Sequence, residues 1–113
     1  MLVKNMTGQH GPVVNQFIIN IGSLEIFQSY ETIIAIRDNA APRVYLDPMF
    51  SCSPTTSKYR TRFLAETTQR TRKKLKEGYY IGRDLNEANR SFTETMIRTA
   101  CRPYFTNAEQ SES

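Results

Sequence analysis

The sequence predicts an α+β domain: an antiparallel meander of three or four strands packed against two C-terminal helices. Three observations predict it. Runs rich in β-branched and aromatic residues, at 17–21, 24–28 and 32–36, are separated by short turn signals. After Pro48 the apolar spacing changes from the strand period to the helical one. No internal repeat and no linker divides the two halves, so one core has to serve both. A chain of 113 residues is long enough for that single modest core.

Each element has its own local reason. Residues 1–15 hold Gly8, Gly11 and Pro12 among polar residues without periodicity, and read as a flexible lead-in. The domain then spans 16–105. Gln16 to Ile21 reads as the first strand, and Gly22-Ser23 as a two-residue loop whose first position suits the positive φ of a type II′ turn. Leu24 to Gln28 continues the hairpin. Thr32 to Ile36 has the β-branched density of a central strand. The loop at 38–42 ends in Pro42, which cannot donate to a ladder. Arg43 to Leu46 is a short fourth strand with Val44 and Leu46 on one face.

Ser53 or Thr55 can cap a long helix that Pro54 opens, where a missing N–H does no harm. This helix is expected to run to Glu77, with Gly78 taking the left-handed conformation beyond its end. Tyr79 to Ile81 is short enough for an edge strand. A second helix is expected from Leu85 or Asn86 to Arg102, on the spacing of Ala88, Phe92, Met96, Ile97 and Ala100. Pro103 discourages its continuation, and residues 106–113 form a polar tail that frays.

Composition excludes more than it assigns. Charged residues are 23% and hydrophobic ones 39%, near a soluble globular average. No apolar run approaches the roughly 20 residues of a membrane span, and the N-terminus lacks a signal peptide's continuous apolar stretch. Cys52 and Cys101 have no His or CxxC neighbour, so two buried free thiols in a reducing compartment are expected. His10 stands alone in the lead-in, which leaves nothing for a metal site or a histidine base. No two carboxylates are spaced for acid–base work, and no phosphate-binding glycine loop is present. An enzyme is not expected, nor a cofactor.

The strongest signal is the segment 58–76, KYRTRFLAETTQRTRKKLK, with eight of the chain's 15 basic residues. On a continuous helix, Lys58, Arg62, Arg72, Lys73 and Lys76 fall within about 100° of one another, with Ala65 and Gln69 between them. Phe63, Leu64, Thr67, Thr71 and Leu75 take the opposite side. The result is a positive stripe about 27 Å long. Arg60 projects into the middle of the apolar face, either with its guanidinium reaching solvent or paired with a carboxylate of the sheet. Glu66 and Glu77 project toward the Phe63 side, leaving the stripe without an internal acid. A face selected only for solubility tends to mix its signs. Tyr59, Tyr79 and Tyr80 stand beside the basic residues, where exposed rings stack bases in single-strand binders; core packing is the alternative use of such rings.

The residues Val44-Tyr45-Leu46-Asp47, Thr55-Thr56-Ser57-Lys58-Tyr59-Arg60, Phe63-Leu64, Glu66, Arg72-Lys73-Lys74, Gly78-Tyr79 and Leu85-Asn86 resemble a family of small uncharacterised tailed-bacteriophage proteins. In that family a strand ending in an acidic residue leads to a TTSKY segment that opens a basic helix. The likeness covers residues 24–86 and implies a context, the cytoplasm of an infected bacterium, without an activity. Small phage proteins of this kind often bind host machinery, including defence systems, and are often homodimers.

Two partners fit these observations: nucleic acid held mainly by phosphate contacts, or an acidic surface on a host protein. Both use the same residues, Lys58, Arg62, Gln69, Arg72, Lys73, Lys76 and Tyr79. Nucleic acid stands first, because it needs only the basic stripe itself.

Overall fold

The computed structural model describes residues 2–86, and they form a six-stranded sheet with two helices on one face. Five strands follow one another in chain order: β1 (Leu2–Gly8), β2 (Gly11–Ile21), β3 (Leu24–Ser29), β4 (Thr32–Asp38) and β5 (Arg43–Leu46). All four pairings among them are antiparallel. Helices α1 (Pro54–Leu64) and α2 (Thr68–Glu77) then carry the chain back to β6 (Ile81–Gly82), which pairs in parallel with β5.

The α+β class and the meander are as the sequence predicts, but the sheet has six strands where three or four were expected. The excess comes from both ends. Residues 2–15, expected as a flexible lead-in, make β1 and the start of β2, joined by a tight turn with Gly8 opposite Gly11. Their pairing is backbone-driven and largely exposed, so no apolar alternation betrays it. At the other end, the edge strand expected at Tyr79 to Ile81 forms as Ile81-Gly82 and joins the sheet in parallel. The two described helices therefore lie inside a crossover between neighbouring strands. The helix expected over 85–102 lies, beyond Asn86, outside the described residues, as does Cys101.

Register explains which side chains meet the helices. Ile18, Phe27, Ala35 and Leu46 lie across from one another on β2 to β5, on the face that α1 covers with Tyr59, Phe63 and Leu64. Phe27 and Phe63 stack with ring centroids 5.8 Å apart. The opposite face carries a second cluster built on Ile21, Leu24, Ile26, Ile36 and Tyr45, which Leu85 joins. The predicted two-residue hairpin is present: Ile21 pairs with Leu24, and Gly22 has φ of 55°.

Two polar ties fix the crossover to the sheet. Arg37 of β4 donates to the Phe63 carbonyl at 2.8 Å, with its guanidinium 4.7 Å from the Phe63 ring centre. Buried Asp47, just past β5, accepts from the Leu85 N–H at 2.9 Å and the Asn86 amide at 3.0 Å. Asn86 in turn pairs with both the N–H and the carbonyl of Ile33, as a neighbouring strand would. The positions Asp47, Leu85 and Asn86, spread over the sequence, are thus one structural joint.

Candidate functional site

The expected single helix over 54–77 is two helices. Ser53 caps the first, accepting the Thr56 N–H at 3.1 Å, and Ala65 ends it in the left-handed conformation with φ of 56°. Thr67 caps the second, accepting the Arg70 N–H at 3.2 Å. Glu66, in the joint, turns back onto α2, receiving Lys74 Nζ at 2.7 Å and Thr71 Oγ1 at 3.0 Å. This break removes the common phase on which the 27 Å stripe depends.

The first half of the stripe turns toward the β1–β2 hairpin. Tyr59 is buried, with Lys58 and Arg62 at 5.4 and 5.2 Å from its ring centre. Arg62 also donates to the Thr7 carbonyl at 3.2 Å. Tyr59 is therefore a packing residue, and its two flanking cations are partly committed to it.

Arg60 takes neither of its expected arrangements. It is fully buried, donating to the Phe50 carbonyl at 2.7 Å and to the hydroxyls of Thr61 and Thr68. Among the described residues no carboxylate forms an ion pair with it. Its guanidinium also lies 5.3 Å from the centre of the Phe50 ring. Burial first, and the nearby Arg72 second, make its charge harder to keep and lower its pKa, an effect Glu66 opposes. Arg60 joins the loop before α1 to the start of α2. Arg72 faces the same loop, with Nη2 3.5 Å from Ser51 Oγ.

Of the second half of the stripe, Arg72 is turned to that loop and the rest stays exposed. Gln69, Lys73 and Lys76 share one exposed strip of α2 at i, i+4 and i+7. Beside it opens a groove of about 670 Å³ lined by Thr67, Gln69, Arg70, Lys73, Lys74, Glu77 and Tyr79. Arg70 and Lys74, which a continuous helix puts outside the stripe, are thereby added to it. The expectation of an acid-free face is corrected: Glu77 lines the groove and approaches Lys73 at 4.0 Å, at the i, i+4 spacing. That pair is exposed at both ends and contributes little. Lys74 is different, because Glu66 holds it and the Tyr80 ring lies 5.1 Å away.

Of the Tyr79-Tyr80 pair, the structure uses one for packing and leaves the other out. Tyr80 packs against the main core cluster, and its hydroxyl lies 3.4 Å from Lys74 Nζ. Burial raises the Tyr80 pKa, with Glu66 adding to the rise and Lys74 opposing it. Tyr79 is 73% exposed and lines the groove. Its backbone is pinned, since Gly78 at φ of 85° lets the Tyr79 N–H reach the Lys74 carbonyl at 2.9 Å while the Gly78 N–H bonds to the Leu75 carbonyl.

Outside this region the described residues hold little chemistry. His10 lies exposed in the β1–β2 turn, and Cys52, expected to be buried, is exposed. No group of three His, Cys, Asp or Glu converges among the described residues, and no described helix is long and apolar enough to cross a membrane.

The fold thus defines an α+β protein with four exposed cations, Arg70, Arg72, Lys73 and Lys76, on one short helix that ends beside the exposed ring of Tyr79. Residues 1–78 match DUF8033, a family of unknown function, and the chain belongs to that family. No curated protein and no solved structure matches it.

Proposed function

We propose that this is a phage accessory protein that binds nucleic acid through α2, mainly by contacts to phosphates. The observation that carries the reading is the groove beside α2, where the exposed cations Arg70 and Lys73, with Lys76 one turn on, face one exposed acid, Glu77, and the exposed Tyr79 joins the lining, while Lys74 is neutralised by Glu66. Cations on one rigid helix suit a polyanion, since their positions are fixed before binding and their field attracts it over distance. Gln69 supplies an amide that hydrogen-bonds phosphate or base, and Lys76 extends the cationic strip by one turn. The resemblance of residues 24–86 to small tailed-phage proteins supports the infected bacterial cytoplasm as the setting.

The test is fluorescence anisotropy of a labelled mixed-sequence oligonucleotide at low salt. Wild-type protein is expected to bind, and Lys73→Glu with Lys76→Glu to lose binding. Lys58→Glu, on α1, is expected to keep most of it. A partner that survives nuclease treatment in a pull-down, together with no oligonucleotide binding, would replace nucleic acid with an acidic host protein on this surface.

A further inference from the structure

We infer that the α2 groove takes single-stranded rather than duplex nucleic acid, with one base stacked on Tyr79 and the adjoining phosphates on Arg70 and Lys73. The inference rests on the nucleic-acid reading above and narrows it to a substrate class. Tyr79 carries the argument. It is 73% exposed, whereas its neighbour Tyr80 packs against the core, so among the described residues Tyr79 has no packing role. The Tyr79 backbone is tied to the end of α2, because its N–H is bonded to the Lys74 carbonyl at 2.9 Å and Gly78 is set in the left-handed conformation beside it. An aromatic ring held out from a rigid turn loses little freedom when a base lies on it.

The surroundings match the rest of a nucleotide. Arg70 and Lys73 are exposed cations on the same groove. Lys74 is tied to Glu66 at 2.7 Å and so braces the wall more than it binds. A duplex keeps its base faces stacked inside and offers no face to Tyr79. Base–aromatic stacking is tolerant of sequence, so no base preference is required of the site.

The sequence has no tryptophan, so Tyr79→Trp creates a single fluorescent reporter at the platform. The experiment titrates wild type, Tyr79→Trp, Tyr79→Phe and Tyr79→Ala with a single-stranded dodecamer and with its duplex. Wild type is expected to prefer the single strand. Tyr79→Ala is expected to weaken single-strand binding about 5- to 150-fold and leave duplex binding unchanged. Tyr79→Phe, which keeps the ring, should bind like wild type. In Tyr79→Trp the indole emission should be quenched by the single strand alone. Duplex bound as tightly as single strand, or Tyr79→Ala binding like wild type, would overturn the inference and leave the phosphate reading standing. Absence of binding to either form would overturn both.

Discussion

The Glu66 carboxylate and the Lys74 ammonium meet at 2.7 Å across the joint between α1 and α2. The pair closes a small ring: Glu66 leaves the first helix, Thr67 caps the second, and Lys74 two turns on returns to Glu66. Only 4% of the Glu66 side chain is exposed, so the contact is shielded from solvent on the acid's side. The same lysine's carbonyl anchors Tyr79, which links the helix joint to the candidate platform.

This pairing sets a pH dependence. Burial pushes the Glu66 carboxyl up, but hydrogen bonds from Lys74, Tyr80 and Thr71 more than offset it and hold the group below the usual glutamate range. A depressed folded value means the contribution is complete above the unfolded pKa, about 4.3, and is lost as pH falls through the lower folded value. Thermal unfolding followed from pH 7 to 2 should show an acid loss that is smaller in Glu66→Gln. An identical acid limb in the two proteins would remove Glu66 from the account.

The helix break has a test in which the sign decides. Ala65 has φ of 56°, a conformation that strains a residue with a Cβ and that Gly adopts freely. Ala65→Gly should therefore stabilise the protein, by about 1 kcal/mol. In an unbroken helix the same change would destabilise it by about 0.5–1 kcal/mol. Urea denaturation separates the two.

Arg60 is a buried cation whose hydrogen-bond partners are a carbonyl and two hydroxyls. Hydrogen bonds to a charged group contribute about 1.5–3 kcal/mol each, and Arg60→Ala also strands the Phe50 carbonyl. A loss of about 3 kcal/mol is expected in chemical denaturation. Arg60→Lys should recover only part of it, because one ammonium cannot span acceptors on the loop, α1 and α2 together. Full recovery by lysine would show that the charge matters and the fork does not.

How much of this was readable follows from where the signals lie. The Ile21–Leu24 hairpin, the Ser53 cap and the Gly78 stop were legible, because each rests on a residue with a strong local preference. The break at Ala65 was not. Ala, Glu and Thr are not helix breakers, and the turn depends on Glu66 reaching Lys74 and on Arg60 reaching Thr68, contacts that form only with the fold. The break rotates half the stripe, which exposes Arg70 on the groove and turns Lys58 and Arg62 to Tyr59. Strand β1 was missed for a different reason: Leu2, Val3, Lys4 and Asn5 are all exposed, leaving no alternation between a buried and a solvated face to read.

The salt dependence of oligonucleotide binding tests the central claim most directly. Five stripe cations on duplex DNA, as the continuous helix implied, would give a log–log slope of about −4 to −5. The structure leaves Arg70, Lys73 and Lys76 of α2 open to a partner, since Lys74 is held by Glu66 and Arg72 faces the loop before α1. For a single strand the account predicts a slope of about −2, an affinity loss of about 20-fold between 50 and 200 mM salt. Reversing Lys73 should make the slope shallower by about 0.7 or more, and reversing Lys58 should not change it. A slope near zero, or one indifferent to Lys73 and Lys76, would contradict the account.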